Sequence, residues 1–513
     1  MRGPGDILTA AVARYGTKTA LVTSARTLTY SELDEISNSV AAGLADRGVA
    51  PGQRVSLLAT NRWEWIVAYH GALKAGAVVN PLNVMLTADE VAYVVADCEA
   101  SAILVSGDRL GDVVGLPGEV KFLQTVVSFD EAAEVALGFG ELIDAAASPP
   151  AVDPPDPAAL STIGYTSGTT GRPKGAMQSH RSVLLNCALT ATMHVRTADD
   201  VVVSALPAPH VYGNVVINGT FLAGGTVVLM EKFDPAAALG LIAEHRATLF
   251  EGVPAMYSML LAAEEIEGAD LSSITRSTVG GQTISTAVME EWERRSEAPL
   301  LELWGMTELS GLGTTHALYA PNVHGSIGVA LPGVDVRVAS LEDPSETPPV
   351  GEPGELVVRG PIVTLGYWGN EEATREVLDS DGWLHTGDVA HADEEGHFFV
   401  VDRLKDMIVT GGYNVYPAEI ERVLVEHEAV AMAAVGRVPD DVKGELARAY
   451  VVLTRGASVT ADDLVAHCRG SLASYKLPRS VAFVDELPMT STGKIMRREL
   501  HRLDEGAMAS SGG

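Results

Sequence analysis

The sequence predicts an α/β protein: a large N-terminal domain of several subdomains, with helix-covered and largely parallel sheets, followed by a small α+β domain. The chain has 513 residues, of which 47 % are hydrophobic and 20 % charged, so it is long enough for several packed cores and globular in composition. Strand and helix patterns alternate up to about residue 400, which is typical of parallel sheets covered by helices, and shorter elements follow.

Two capping patterns mark early helices. The segment Thr29-Tyr-Ser-Glu32 predicts a helix start, and apolar side chains then recur at helical spacing until Gly48. Thr87 and Glu90 form a second pattern of this kind. A further helix is predicted at residues 65–73. Short apolar segments between the helices predict strands at residues 55–58, 78–80 and 102–105. Strands separated by helices predict parallel pairing.

After Asp402 the predicted elements are short. Pro417 begins one predicted helix, and another follows Thr460. The predicted strands of this part are residues 407–409, 431–435, 449–453 and 481–484. This mixture predicts a small α+β domain of about one hundred residues. Pro-rich stretches earlier in the chain, predicted as loops between subdomains, are residues 149–157 and 344–353.

Composition also limits the class of partner and the compartment. Acidic residues number 67 and basic residues 36, a formal net charge of −31, so the field of the protein repels nucleic acid and anionic lipid. Cys98, Cys187 and Cys468 form no metal-binding or disulfide pattern, and no segment has the apolar core of a signal peptide or membrane span. We therefore expect a cytoplasmic protein with small-molecule partners, without nucleic-acid binding or an integral membrane segment. The sequence leaves open whether the protein forms a homodimer.

Residues 164–175, Gly-Tyr-Thr-Ser-Gly-Thr-Thr-Gly-Arg-Pro-Lys-Gly, combine glycines, hydroxyl side chains and two cations. Glycines let backbone N–H groups approach phosphate oxygens closely, hydroxyls add donors, and Lys174 supplies a positive charge against the acidic field. The spacing of a Walker A loop is absent. A flexible glycine-rich linker is the alternative, but it does not explain the position of Lys174. The segment therefore predicts a phosphate-binding loop.

This loop closely resembles the signature of the adenylate-forming superfamily of AMP-binding enzymes, which includes acyl-CoA synthetases, luciferases and the adenylation domains of peptide synthetases. Further blocks that match the family in order are residues 206–210 (Leu-Pro-Ala-Pro-His), 304–308 (Trp-Gly-Met-Thr-Glu), 382–388 (Gly-Trp-Leu-His-Thr-Gly-Asp), 402–405 (Asp-Arg-Leu-Lys) and 488–494 (Pro-Met-Thr-Ser-Thr-Gly-Lys). The resemblance covers essentially the whole chain, which is identified as a member of the acyl-CoA synthetase, or fatty-acid-CoA ligase, branch. It implies an N-terminal AMP-binding and acyl-pocket domain of residues 1–402, a hinge at 403–405 and a mobile C-terminal domain of 406–513 that carries the catalytic lysine.

The activity that this resemblance implies is that of an ATP-dependent acyl-CoA synthetase. A carboxylic acid and ATP give an acyl-adenylate and pyrophosphate, and CoA then gives acyl-CoA and AMP, with Mg²⁺ as the cofactor. Because the first step joins two anions, charge neutralisation is its main requirement. Three alternatives are an enzyme that loads the acyl group onto a carrier protein, a luciferase-like oxygenase and an inactive nucleotide-binding protein.

The family pattern places catalytic groups at Lys494, Thr307 and His210. The ammonium of Lys494, in a small loop, would bridge the attacking carboxylate and the α-phosphate. Alternatively, Lys494 belongs to a basic surface that continues at Arg497. Thr307 offers a hydroxyl to the α-phosphate, and Glu308 a hard oxygen ligand to Mg²⁺, unless Glu308 only stabilises a helix start.

Nucleotide contacts are also implied by the resemblance. Asp388 and Arg403 match the ribose contacts, although Asp388 alone would suggest only a turn residue. Lys405 matches the hinge, with a solvated lysine as the alternative, and Asn414 lies where related enzymes place an amide near the adenylate. Trp304 offers a flat face to adenine, unless it is a core residue. The predicted ATP and AMP contacts are Thr166, Ser167, Gly168, Thr169, Thr170, Gly171, Lys174, Gly281, Gln282, Thr283, Glu302, Leu303, Trp304, Gly305, Met306, Thr307, Asp388, Arg403 and Asn414.

The predicted acid pocket has room for an acid longer than acetate and lacks the ion pair that a dicarboxylic acid would need, so it favours an apolar chain or ring. Gly305 stands where acetate-activating relatives have a tryptophan that closes the pocket, and Leu303 where malonate-activating relatives have an arginine for the distal carboxylate. We expect a medium- or long-chain fatty acid first, and next an aryl or hydroxycinnamic acid, on whose ring Tyr212 could stack. His210 is either a polar group near the carboxylate or a wall residue. The predicted lining is His210, Tyr212, Gly213, Gly280, Leu303 and Gly305.

CoA carries phosphates of its own, so it requires a second positive site. Lys443, Lys476 and Arg479 are the candidate contacts, although ordinary surface charge explains each of them equally well. Gly411 and Gly412 would let the pantetheine arm pass close to the backbone.

Overall fold

The computed structural model describes residues 1–133, 135–144, 150–166, 172–440, 442–489 and 495–503. By its internal packing the chain divides into two compact units. The first unit consists of Met1–Val336 and Val358–Leu384, and the second of Arg337–Val357 and the described residues from His385 onward. The predicted domain limit at residue 402 and the hinge at 403–405 stay predictions.

Strands and helices alternate through the first unit, as the sequence predicts. Up to Ser179 they are α1 (Ile7–Tyr15), β1 (Thr19–Val22), β2 (Thr27–Thr29), α2 (Tyr30–Asp46), β3 (Arg54–Leu58), α3 (Trp63–Lys74), β4 (Val78–Pro81), α4 (Ala88–Asp97), β5 (Ala100–Val105), α5 (Leu116–Glu119), β6 (Thr125–Ser128), β7 (Leu137–Gly138), α6 (Phe139–Asp144), β8 (Leu160–Thr166) and β9 (Lys174–Ser179). The following elements are α7 (His180–Met193), β10 (Val201–Ser204), α8 (Val211–Ala223), β11 (Thr226–Leu229), α9 (Pro235–Glu244), β12 (Leu249–Gly252), α10 (Pro254–Ala262), β13 (Arg276–Gly280), α11 (Thr286–Ser296), β14 (Leu300–Met306), β15 (Gly311–Thr315) and β16 (Val329–Ala330).

Shorter elements make up the rest of the chain. They are β17 (Asp335–Ala339), β18 (Gly354–Arg359), α12 (Glu371–Val377), β19 (Leu384–Ala392), β20 (Phe398–Arg403), β21 (Ile408–Thr410), β22 (Tyr413–Val415), α13 (Pro417–Val425), β23 (Val430–Asp440), β24 (Gly444–Leu453), α14 (Ala461–Ser471) and β25 (Ser480–Phe483). Short 3-10 turns occupy Pro4–Asp6, Gly107–Asp112, Glu264–Gly268, Thr307–Leu309, Leu404–Asp406 and Arg497–Glu499. Both Pro-rich stretches, where described, lie in loops, as predicted.

The capping predictions are confirmed. The Thr29 side chain accepts a hydrogen bond from the Glu32 N–H, and the Glu32 carboxylate accepts one from the Thr29 N–H. These two bonds cap the start of α2. Thr87 and Glu90 do the same at α4. Because these bonds satisfy N–H groups that a helix end leaves unpaired, the two starts are determined locally.

Two large sheets form the first unit, and both are parallel apart from their edges. One has the strand order β7-β6-β5-β3-β4-β8-β9, with only β9 antiparallel to its neighbour. The other has the order β16-β15-β14-β13-β12-β10-β11-β1-β2, in which β2, β15 and β16 are the antiparallel edge strands. The carboxyl ends of β10, β12, β13 and β14 therefore meet at one sheet edge, where ligands of open α/β sheets bind.

Helix α3 is buried because residues of both sheets and of α2 and α8 surround it. Trp65 and Tyr69 stack at 5.6 Å between ring centroids, and both are at most 2 % exposed. Their cluster includes Val55 of one sheet and Val227 of the other, with Phe221 of α8. The core between the sheets thus holds them together in the first unit.

The second unit has the predicted α+β character. Its strands form the sheet β17-β18-β19-β20 and a sheet of order β22-β21-β24-β23 with β25 beside β24. Helices α13 and α14 cover the second of these through Ile420, Val423, Leu464 and Cys468, all nearly or fully buried. Among the helices described, none is both long and apolar enough to cross a lipid bilayer.

Candidate active site

The ends of β8 and β14 lie side by side in the first unit. Gln178 Nε2 donates to the Thr307 carbonyl at 2.9 Å, and a Cβ at Gly164 would lie 2.6 Å from Thr307 Cγ2. Only glycine at position 164 therefore allows the Thr307 turn to approach β8 this closely. Thr166, which ends β8, and Lys174, which begins β9, are cross-strand partners. The predicted contacts at residues 167–171 lie outside the described part of the chain.

Helix α4 anchors both described ends of this hairpin. The Tyr165 hydroxyl donates to an Asp97 carboxylate oxygen, and Trp368 Nε1 donates to the Asp97 carbonyl at 3.0 Å. On the other side of the predicted phosphate loop, the Arg172 guanidinium lies 5.1 Å from the centroid of the Tyr93 ring. Sequence analysis missed Asp97 and Tyr93, because a helix some seventy residues upstream carries no local sign of contact with the loop.

Glu308 is placed by its surroundings. It lies in the 3-10 turn Thr307–Leu309 and is 6 % exposed. The Tyr367 hydroxyl donates to Glu308 Oε1 at 2.7 Å, and the Thr364 N–H donates to the Glu308 carbonyl at 2.7 Å. Asn186 Nδ2 donates to the Leu309 carbonyl at 3.0 Å, which clamps the end of the turn. These contacts hold a buried carboxylate in the turn that begins at Thr307.

The donor set suits a magnesium ion that arrives with a nucleotide. Among the described residues, no three His, Cys, Asp or Glu side chains converge as a metal cage. Mg²⁺ is usually held by one or two carboxylates together with substrate phosphates and water. Glu308 and Thr307 supply hard oxygen atoms of this kind, next to the predicted phosphate loop. The residues therefore fit Mg²⁺, for which Glu308 would supply the carboxylate.

The predicted adenine segment contains a buried glutamate, Glu302, whose carboxyl group contacts another loop. Glu302 is 5 % exposed and accepts the Gly325 N–H at 2.7 Å. Burial raises the pKa of Glu302 to about 7, although the bond from Gly325 opposes the shift. Gln282 and Thr283 are exposed after β13, and the half-buried Trp304 ring covers Gly313. Their contacts to adenine stay predictions.

Helix α8 orients three predicted pocket residues. His210 caps this helix, with its Nδ1 accepting the Tyr212 N–H at 3.2 Å, so in a neutral ring the proton is on Nε2. The buried Tyr212 hydroxyl lies 2.7 Å from Thr278 Oγ1. A Cβ at Gly213 would lie 2.2 Å from the Pro207 carbonyl oxygen. Close packing of the helix thus explains the glycine at position 213.

Two other predicted pocket glycines have close neighbours. A Cβ at Gly280 would lie 2.2 Å from Leu303 Cδ1, so the buried Leu303 side chain covers this glycine. A Cβ at Gly305 would lie 2.0 Å from the Gly311 carbonyl oxygen, although Gly305 is itself exposed. A larger residue at position 305 would therefore require β15 to move.

The second unit brings the predicted ribose contacts together. Asp388 and Arg403 are directly opposed on β19 and β20, and Arg403 Nε lies 3.1 Å from Asp388 Oδ1. Glu355 accepts the Gly387 N–H at 3.0 Å and lies 2.7 Å from His385 Nδ1. Glu355, which sequence analysis did not select, therefore holds the part of β19 that precedes Asp388.

Arg497 does not belong to a basic surface, which was the alternative context for Lys494. Its guanidinium lies 2.6 Å from Glu421, 3.4 Å from Asp406 and 3.7 Å from Asp402, and the side chain is 22 % exposed. Arg497 is thus an ion-paired residue of the second unit. Lys494 itself is outside the described residues.

The predicted CoA contacts differ in their local partners. Gly411 and Gly412 are exposed with φ of 58° and 84°, a backbone conformation that favours glycine. Lys443 and Arg479 are exposed, whereas Lys476 Nζ lies 2.7 Å from both Glu419 carboxylate oxygens. The charge of Lys476 is therefore already balanced. Asn414 and Lys405 are exposed in the same unit.

Comparison with known proteins agrees with this arrangement. The model of the AMP-binding enzyme family matches residues 8–368, and that of the AMP-binding enzyme C-terminal domain matches residues 419–494. The chain is 34 % identical over 526 residues to a long-chain-fatty-acid-CoA ligase of Bacillus subtilis (strain 168), across 96 % of this chain and 93 % of that protein. It is 39 % identical over 482 residues to a feruloyl-CoA synthase of an Amycolatopsis species, across 93 % and 94 % of the two chains.

Solved structures of related enzymes have the same fold. The crystal structure of ATP-bound MatB from Rhodopseudomonas palustris superposes with a TM-score of 0.90 and 32 % identity, covering 98 % of each chain. The family models together span most of the sequence, and the relatives match over nearly their full length. The chain therefore belongs to the AMP-binding enzyme family, as an acyl-CoA ligase of the adenylate-forming type.

Proposed function

We propose that the protein converts an apolar monocarboxylic acid, ATP and CoA into acyl-CoA, AMP and pyrophosphate, through an enzyme-bound acyl-adenylate. The observation that carries this proposal is that the β8-β9 hairpin contacts Thr307 through Gly164 and Gln178, while Tyr367 contacts both Glu308 and Lys174 of the same hairpin. A hydroxyl, a carboxylate and an ammonium at one place provide what phosphoryl chemistry requires: donors and charge for the phosphates and an oxygen ligand for Mg²⁺.

In the first half-reaction, an acid oxygen attacks the α-phosphorus of ATP and pyrophosphate leaves. Lys174 and Thr307 would bind phosphate oxygens, and Glu308 would hold Mg²⁺, which offsets the charge of the leaving pyrophosphate. We assign Lys494 to the bridge between the attacking carboxylate and the α-phosphate. Asp388 and Arg403 would bind the ribose hydroxyls, with Gly387 kept in place by Glu355.

In the second half-reaction, the CoA thiol attacks the acyl carbon of the mixed anhydride and AMP leaves. Burial raises the pKa of the Cys98 and Cys187 thiols to about 12 and that of Cys468 to about 11, so none of them is a ready nucleophile. This supports direct transfer to CoA. Lys443 and Arg479 would contact CoA phosphates beside Gly411 and Gly412, after the C-terminal domain has rotated about Lys405.

The acid is proposed to be a fatty acid of medium or long chain. The buried, apolar Leu303 side chain beside Gly280 supports an apolar pocket. The second candidate is a hydroxycinnamic acid. The buried Tyr212 ring, whose hydroxyl Thr278 engages, and the 39 % identity to a feruloyl-CoA synthase favour it.

Pyrophosphate release tests this proposal. Purified protein with Mg-ATP would be given straight-chain acids from acetate upward, ferulate, benzoate and malonate, each with and without CoA. We expect turnover only when an apolar acid and CoA are both present, with AMP and thioester as products. One burst that CoA does not convert into turnover would instead indicate a carrier protein as acceptor. The absence of release with every acid would contradict the enzymatic proposal.

A further inference from the structure

Residues 364–368 extend the β8-β9 hairpin, although no sequence motif assigned them to the site. The Leu365 N–H donates to the Met177 carbonyl at 2.9 Å, and the Met177 N–H donates to the Gly366 carbonyl at 2.9 Å. The Trp368 N–H donates to the Gly175 carbonyl at 2.8 Å. The segment therefore lies against the strand that leaves the predicted phosphate loop.

Side chains of this segment reach both sides of the loop. Trp368 contacts Asp97, which also binds Tyr165. Tyr367, 8 % exposed, donates its hydroxyl to Glu308 Oε1 at 2.7 Å. Its own N–H donates to Thr374 Oγ1 at 2.9 Å, so its backbone is held from a second direction. The phenol thus has a defined position against the carboxylate.

The same ring also contacts the cation of the loop. Lys174 Nζ lies 5.4 Å from the centroid of the Tyr367 ring and 3.8 Å from a Glu376 carboxylate oxygen. An ammonium paired directly with Glu308 would compete with a metal ion for the buried carboxylate. A neutral hydroxyl instead binds one lone pair and leaves the negative charge in place. Tyr367 therefore touches both charged groups that phosphate binding would use.

The geometry points to Tyr367 as a positioning residue for Glu308: its hydroxyl orients the carboxylate toward the magnesium ion of Mg-ATP, and its ring keeps Lys174 on the phosphate side. This inference rests on the proposed function, which assigns the metal to Glu308 and the phosphates to Lys174. Tyr367 need not touch substrate or metal for this role.

The test measures metal-dependent nucleotide affinity rather than turnover. Isothermal titration calorimetry with α,β-methylene-ATP, in EDTA and then in Mg²⁺, gives the factor by which the metal tightens binding, and Mn²⁺ electron paramagnetic resonance reports the metal directly. We expect Tyr367→Phe to reduce this factor roughly 10- to 150-fold, the size of one hydrogen bond to a charged group, with metal-free affinity unchanged. Tyr30→Phe is the matched control, because Tyr30 is also buried and its hydroxyl donates to the Gly225 carbonyl at 2.6 Å.

Glu308→Gln distinguishes a wrong role for Tyr367 from a wrong assignment of the metal to Glu308. Loss of the metal effect in both Glu308→Gln and Tyr367→Phe supports the inference. Loss in Glu308→Gln with the full effect kept in Tyr367→Phe overturns the role of Tyr367 and leaves the proposed function intact. An unchanged metal effect in Glu308→Gln overturns the assignment of the metal itself, and the inference with it. Equal weakening of metal-free and metal-dependent binding in Tyr367→Phe would show a merely structural residue.

Discussion

Arg403 Nε lies 3.1 Å from Asp388 Oδ1, across two antiparallel strands whose residues at these positions directly oppose each other. The Asp388 side chain is 8 % exposed, whereas that of Arg403 is 50 % exposed. Because the Arg403 side chain is half exposed, this ion pair contributes little to stability. It places a carboxylate and a guanidinium side by side, which is the arrangement that the proposed contact with two adjacent ribose hydroxyls would use.

Replacing Arg403 by leucine should weaken AMP binding about tenfold or more and lower the urea unfolding midpoint only slightly, because the Arg403 side chain is half exposed to water. Calorimetric titration with AMP measures the first effect and fluorescence unfolding the second. Arg359→Leu is the control, since Arg359 is exposed to a similar extent as Arg403 and pairs with Asp335 at 2.9 Å, although the Asp335 carboxylate is more exposed than that of Asp388. Unchanged AMP affinity in Arg403→Leu would contradict the ribose assignment.

Lys494→Ala should reduce acyl-adenylate formation about a hundredfold or more, since it removes a charge that would bridge two anions. Conversion of preformed acyl-adenylate and CoA to thioester should stay largely intact. The two half-reactions are measured separately, by pyrophosphate release and by thioester absorbance. Lys121→Ala, at an exposed lysine, is the control. An equal loss in both half-reactions would remove Lys494 from the first-step role.

Arg479→Ala and Lys443→Ala should raise the KM for CoA about fivefold each, whereas Lys476→Ala should change it less than about twofold. The reason is that both oxygens of Glu419 lie 2.7 Å from Lys476 Nζ, so this charge already has a partner. The KM for ATP serves as the internal control and should stay constant. A larger effect of Lys476→Ala than of the other two variants would reverse the assignment.

Leu303→Ala should shift acid preference toward longer or bulkier acids, because it opens the space above Gly280. It should also cost about 2 to 4 kcal/mol of stability, as truncation of a buried leucine does. The kcat/KM profile across straight-chain and aryl acids tests the shift. Leu301→Ala, at a position 1 % exposed on the same strand, should cost similar stability without a change in preference. An unchanged profile in Leu303→Ala would place the acid elsewhere.

Glu302 should make stability depend on pH. Its folded pKa of about 7 exceeds the ordinary value of 4.5, so between these values the folded chain holds a proton that the unfolded chain has released. The stability that this proton contributes is complete below about pH 4.5 and is lost as the pH rises to about 7. Glu302→Gln should therefore be more stable than the parent by about 2 to 3 kcal/mol near pH 8, and nearly equal to it near pH 4.5. Urea unfolding across this range measures the difference, and the exposed Glu290→Gln, which should show no such trend, is the control.

Local interactions explain which predictions from sequence succeeded. The helix starts at Thr29 and Thr87 depend on side chains three residues apart, so the hydrogen bonds that determine these starts lie within one helical turn. Alternation of strands and helices predicted the parallel sheets for the same reason, since a crossover helix must intervene between parallel strands. The motif blocks identified the family because their spacing is local too.

Sequence separation explains what analysis of the sequence missed. Tyr367 and Glu308 are 59 residues apart, and Tyr165 and Asp97 are 68 apart, so their contacts follow only from strand order and register. Glu355 was not selected from the sequence, and Arg497 was considered part of a basic surface. The partners of both residues lie on other strands and helices.

The sequence by itself determined the family, the two capped helices, the parallel α/β class and the residue types available for phosphate chemistry, because each depends on neighbours in the chain. Tertiary structure alone decided that a tyrosine contacts both Glu308 and Lys174, that Glu302 is buried with a raised pKa, and that Lys476 has its charge balanced. Burial and pairing of this kind arise when distant segments pack together, and no local pattern encodes that outcome.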